Sequence, residues 1–195
     1  MDYFNSSISH ICSTIYVVKD KVSHYINNEN PSKQPERISP IVNYYDQYTT
    51  CYSPPTYILD NIYLGSAYNA ANYTILKDTG IDIIINITNE IDNYYPNDFI
   101  YHNYKIEDNE EGDLEEFLDK SYDVIKNSAN KKVLVHCYMG ASRSASLVIY
   151  YLIKEKKMSF DEAFDLLKSK RIVVNPNIKF VQILRKKEEE FKKNN

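Results

Sequence analysis

A cysteine and an arginine six positions apart, Cys137 and Arg143, stand between two apolar stretches. Val133-Leu134-Val135 before them reads as a buried strand, and Ala145 to Ile153 after them as a buried helix. The cysteine thus sits at a strand end and the arginine opens a helix, with Tyr138, Met139, Gly140, Ala141 and Ser142 bending between them. That arrangement suits a phosphate monoester. Backbone N–H groups of Tyr138 to Ser142 can turn inward as an anion nest, and the helix N-terminus adds partial positive charge. Gly140 permits a close backbone approach to the phosphate. Arg143 can fork two N–H donors onto two phosphate oxygens, which lysine cannot do. The same positive field favours the thiolate of Cys137, the form that attacks phosphorus. Ser144 follows the arginine, and its hydroxyl is placed to hydrogen-bond the sulfur and make it a better leaving group.

His136-Cys137-x5-Arg143 followed by Ser144 resembles the signature of the cysteine-dependent protein phosphatases, in the dual-specificity branch. The similarity extends beyond the loop. Leu59 to Ser66 resembles the family's opening strand, and Gly80 to Thr88 its next core strand. Ile106-Glu107-Asp108 resembles its general-acid loop, and Asn175-Pro176-Asn177 with Phe180 and Gln182-Ile183-Leu184 its last helix. These segments occur in family order from roughly Pro54 to the C-terminus. The resemblance implies a cysteinyl-phosphate intermediate and no cofactor or metal. It gives His136 the task of shaping the loop through hydrogen bonds.

It also points to Asp108 as the general acid, because a serine or tyrosine oxygen leaves poorly without a proton. Glu107, Glu110, Glu111 and Asp113 crowd the same loop. Asp113 is the next candidate, although Asp113-x-x-Glu116 has capping-box spacing and reads as a helix start.

Substrate class follows from what the loops carry. The chain has no tryptophan, so it lacks the Trp-Pro-Asp loop of tyrosine-specific relatives. Positions 138–142 hold no Lys, Arg or His, whereas relatives acting on phosphoinositides or RNA triphosphates place basic residues there. A neutral loop fits one phosphate on a protein tyrosine, serine or threonine. The resemblance leaves a second reading open, a non-catalytic phosphoprotein-binding or scaffold module of the same fold. Such modules typically lose the cysteine or the acid.

The elements that must position these groups alternate strand and helix. Strands are expected at 56–59 and 62–64 around an Asp60-Asn61 turn, at 82–87, 101–106 and 132–136. Helices are expected at 70–78, stopped by Gly80, from Asp113 to about Asn127, after the Ser159-Phe160-Asp161-Glu162 capping box, and after an Asn175-Pro176 start. The pattern predicts an α/β fold: a mainly parallel sheet flanked by helices, with the phosphate loop between a strand and a helix. Residues 54–195 form the expected catalytic domain and 27–53 a linker or irregular segment. Residues 1–26 read as an amphipathic helix, with one apolar stripe over Ile8–Ile26. That stripe needs a cover: its own domain, a partner, or a second copy. The reach of the proline-bearing linker favours homodimerisation.

Among 195 residues, 43% are apolar, enough for one core, and no apolar run is long enough to span a membrane. A net charge of -4 speaks against nucleic acid as a partner. Three scattered cysteines give neither a disulfide framework nor a metal-ligand pattern. With no secretory leader visible, a reducing intracellular location is expected, the cytoplasm first and the nucleus as an alternative.

Overall fold

Short Ile, Val and Leu runs bounded by turn residues make the sheet of the computed structural model, which describes residues 49–108 and 114–193. The strands are β1 (Thr56–Leu59), β2 (Ile62–Gly65), β3 (Ile81–Asn86), β4 (Ile100–Asn103) and β5 (Lys132–His136). Their order is β1-β2-β5-β3-β4. Only β1 runs antiparallel to its neighbour, joined to β2 through a turn in which Asp60 takes a positive φ of 49°. The mainly parallel sheet expected from the alternation is therefore present.

Register decides where the site lies. Gly65 of β2 and Asn86 of β3 both pair with His136 of β5, and Asn103 of β4 pairs with Asn86. Four parallel strands thus end level with one another, and the chain leaving each enters the same crevice. In open α/β sheets that carboxyl edge is where ligands bind.

Helices cover both faces. On one side lie α1 (Ala67–Ala71) and α2 (Tyr73–Thr79), which with Leu134, Ile84 and Phe99 form a smaller apolar cluster. On the other lie α3 (Leu114–Lys126), α4 (Arg143–Lys156), α5 (Phe160–Lys170) and α6 (Ile178–Lys193). They pack onto Val133, Val135, Ile83 and Ile85, the side chains that alternate to that face. Every residue of α4 from Arg143 to Ile153 is buried, the polar Arg143, Ser144 and Ser146 with the apolar run Leu147 to Ile153. None of the described helices is long and apolar enough to cross a membrane.

Several boundaries differ from those read in the sequence. The helix expected at 70–78 is two helices, because Asn72 both ends α1 and caps α2 by accepting from the Ile75 N–H. Gly80 ends α2 in the left-handed conformation, as expected. The fourth strand stops at Asn103 and not at 106, since Tyr104 to Ile106 leave the sheet toward the site. The last helix is capped by Asn177, whose Oδ1 accepts from the Phe180 N–H at 3.1 Å, and not by Asn175. Asn175 instead donates its backbone N–H to Ala141. The Ser159 capping box forms as expected. Asp113, and the proposed helix Ile8–Ile26, lie outside the described residues.

Residues 49–53, read in the sequence as part of the linker or irregular segment 27–53, are instead built into this domain. Their first four residues are helical, and Cys51 is buried. The Cys51 and Ser53 carbonyls accept from Ser66 Oγ and Asn69 Nδ2, each at 2.6 Å.

Candidate active site

The loop after β5 is shaped by what holds its carbonyl groups. The carbonyl of Tyr138 accepts from the Ala67 N–H and that of Ala141 from the Asn175 N–H. Those of Met139 and Gly140 accept from Arg171, through Nη2 and Nε, each at 3.0 Å. That of Ser142 accepts from Ser146 within α4. The carbonyl of Cys137 meets His136 Nδ1 at 3.3 Å, so Nδ1 carries the ring hydrogen. In a trans peptide the N–H points opposite to the carbonyl that precedes it. Tying six consecutive carbonyls to the surrounding protein therefore turns the N–H groups of Tyr138 to Arg143 toward the loop interior.

Gly140 serves this loop differently from the sequence expectation. Its φ is +70°, and a Cβ would collide with the Gly65 carbonyl oxygen and approach Arg171 Nη2 at 2.6 Å. The space it leaves is filled by the loop's supports and not by the phosphate side.

Cys137 and Ser144 are brought together at the centre, both buried, with Sγ and Oγ 3.2 Å apart. His136 is buried too, and loss of hydration pushes its pKa down to about 4 against the opposing effect of the Cys137 carbonyl. Its imidazole is accordingly neutral at pH 7.

Arg143 opens α4 with only 5% of its surface exposed. Glu90, a residue that the sequence reading missed, meets it face to face. Nη2 reaches Oε1 at 2.6 Å and Nη1 reaches Oε2 at 3.0 Å. Nη1 also donates to the Ile106 carbonyl at 3.0 Å. Burial works against the guanidinium charge, and the Glu90 hydrogen bonds together with the fields of Cys137, Glu90 and Asp108 more than offset it, so the Arg143 pKa rises. The same pair holds the Glu90 carboxyl below its ordinary range. Arg143 Nε is buried without a hydrogen-bond partner, which no other buried side-chain nitrogen or oxygen among the described residues is.

Asp108 arrives on the segment that leaves β4. Its carboxylate Oδ1 accepts from Ser142 Oγ at 2.5 Å and from Asn177 Nδ2 at 3.0 Å. Glu107 points to Asn89 instead, accepting from its amide at 2.9 Å. Beside Arg143 lies a cavity of about 650 Å³ lined by Glu90, Glu107, Asp108, Ser142 and Asn177 among others. Ser142 occupies the N-cap position of α4 yet gives the helix no side-chain hydrogen bond. Its hydroxyl goes to Asp108, so this side chain leaves the first-turn N–H groups free.

Arg171, the other residue missed, has no exposed surface. Besides the two loop carbonyls it reaches Thr50 O at 3.3 Å, joining the 49–53 segment to the loop. A lone arginine closing an amphipathic helix gave no local sign of this role. Glu90 was equally silent, as one acid among many loop acids.

A strand-loop-helix arrangement with a buried cysteine at the strand end defines the class, and comparison with known proteins gives the family. Residues 62–190 match the dual specificity phosphatase catalytic domain. The chain is 42% identical over 132 residues to human protein phosphatase Slingshot homolog 1, covering 67% of this chain and 13% of that protein. It is 34% identical over 129 residues to human dual specificity protein phosphatase 1, covering 65% of this chain and 35% of that protein. The crystal structure of human DUSP28 superposes with a TM-score of 0.67 at 26% identity, covering 72% of this chain and 96% of that one. The chain belongs to the dual specificity phosphatase family. It spans only a small part of the length of the Slingshot relatives it matches.

Proposed function

We propose that this chain hydrolyses phosphotyrosine, phosphoserine and phosphothreonine in proteins through a cysteinyl-phosphate intermediate. The observation that carries the reading is the orphaned Nε of Arg143. A buried N–H without an acceptor costs roughly 1–3 kcal/mol. Glu90 engages both terminal nitrogens and leaves Nε–H, beside the inward-facing loop N–H groups, for a phosphate oxygen.

In the first step the Cys137 thiolate attacks phosphorus and an S–P bond forms. The P–O bond to the substrate breaks, and Asp108 gives its proton to the departing oxygen. Asp108 then takes a proton from water, whose oxygen attacks phosphorus. The S–P bond breaks with the pair returning to sulfur, where the Ser144 hydroxyl stabilises the leaving thiolate. Arg143 and the N–H groups of Tyr138, Met139, Gly140, Ala141 and Ser142 hold the equatorial oxygens throughout. Such chemistry fits a reducing compartment, cytoplasm or nucleus. Homodimerisation through Ile8–Ile26 belongs to the same proposal, and light scattering of the full chain beside one lacking residues 1–30 tests it.

Turnover of p-nitrophenyl phosphate and of phosphopeptides tests the reaction. Cys137→Ser is expected to leave under about one per cent of the rate while still binding vanadate. A parent protein that binds phosphopeptides and turns none over overturns the reading in favour of a binding module.

A further inference from the structure

Resting on that reading, we infer that Asn177 and Ser142 are positioning residues for the general acid, fixing which oxygen of Asp108 delivers the proton. Asn177 Nδ2 donates to the Asp108 carbonyl oxygen as well as to Oδ1. The orientation of this amide is determined by its other end. Oδ1 of Asn177 caps α6 by accepting from Phe180, so Nδ2 must face Asp108.

Ser142 is determined in the same way. Its Oγ accepts the Asn177 backbone N–H at 3.1 Å, and its single hydrogen is left for Asp108. Oδ1 of Asp108 therefore faces two donors and has no room for a proton of its own. The transferable proton belongs on Oδ2.

The preceding residues are pinned as well, Ile106 by Arg143 and Glu107 by Asn89. The segment that carries Asn177 is itself tied to the phosphate loop through Asn175 and Ala141. The acid is thus registered against the same loop that holds the phosphate, directly through Ser142 and through the Asn177 segment.

The test is kinetic. Asn177→Ser keeps an oxygen that can cap α6 and removes the amide donor. Turnover of phosphoserine peptide and of high-pKa aryl phosphates should fall about tenfold, a fraction of what a general acid supplies. Turnover of p-nitrophenyl phosphate, whose leaving group needs less protonation, should fall less than about twofold, so the dependence on leaving-group pKa steepens. Ser142→Ala should steepen it in the same sense and carries the test should Asn177→Ser fail to fold, as judged by circular dichroism. In an Asp108→Asn background, Asn177→Ser should add almost nothing.

An equal loss across all leaving groups, or a full additional loss on top of Asp108→Asn, overturns the positioning role and leaves the proposed reaction standing. If Asp108→Asn itself leaves the leaving-group dependence unchanged, the acid assignment fails and this inference fails with it.

Discussion

Glu90 and Arg143 meet through two parallel hydrogen bonds of 3.0 and 2.6 Å across the floor of the site. This pairing aims the guanidinium as well as neutralising it. The fork has five N–H donors in one plane, so fixing the two terminal nitrogens against Glu90 fixes the direction of Nε–H. Glu90→Ala keeps Arg143 charged and removes that aim. Its kcat/KM is expected to drop about 10- to 100-fold, as for loss of hydrogen bonds to a charged group, Glu90 itself being partly exposed. Vanadate should bind more weakly by a similar factor. A variant with parental kinetics would show that Arg143 is positioned by α4 alone.

What could be read in the sequence, and what could not, divides along this contact. Cys137, Arg143 and Ser144 are joined by local chain geometry, a strand end and a helix start, and short-range pattern carries such geometry. The Asp60-Asn61 turn, the Gly80 stop and the Ser159 box were legible for the same reason. Glu90 lies 53 positions before Arg143, and the two meet only because β3 and β5 end level in the sheet. Arg171 reaches 121 positions back to Thr50. Neither residue carries a local mark of its partner. The single helix expected at 70–78 failed through turn chemistry, since Asn72 is a better cap than a helix interior residue.

Arg171 supports the loop from a fully buried position. It holds two loop carbonyls from below, burial lowers its pKa, and the fields of Cys51 and Cys137 partly restore it. Arg171→Met takes the guanidinium from the Gly140 carbonyl and leaves that of Met139 only the Cys51 thiol, and should lower unfolding free energy by on the order of 3 kcal/mol. The freed Met139 and Gly140 peptides should also rotate, so phosphate affinity should weaken along with stability. Arg171→Lys is expected to recover part of the stability but little of the affinity, because one ammonium cannot fork onto both carbonyls. Urea unfolding, with vanadate titration of each folded variant, checks both halves. Unchanged affinity in a folded Arg171→Met protein would show that the loop keeps its shape unaided.

His136 gives the domain a pH dependence whose sign can be worked out. Its folded pKa of about 4 lies below the ordinary 6.5, because burial disfavours the imidazolium. Between those values the unfolded chain binds a proton that the folded chain does not. Stability is therefore full above about pH 6.5, falls as pH drops toward about 4, and this loss levels off below it. The integrated effect for a fully buried imidazole is on the order of 3 kcal/mol. Carboxylates with lowered pKa, such as Glu90, begin to contribute only below their ordinary value of 4.5, so the interval from pH 6.5 to 5 isolates the histidine. His136→Asn retains a side-chain N–H for the Cys137 carbonyl and cannot titrate. Urea unfolding at pH 7, 6 and 5 should show the parent losing about 2 kcal/mol more than the variant over the two units, most of it between pH 6 and 5. Parallel curves for the two proteins would mean that His136 is hydrated, and charged, in the folded state.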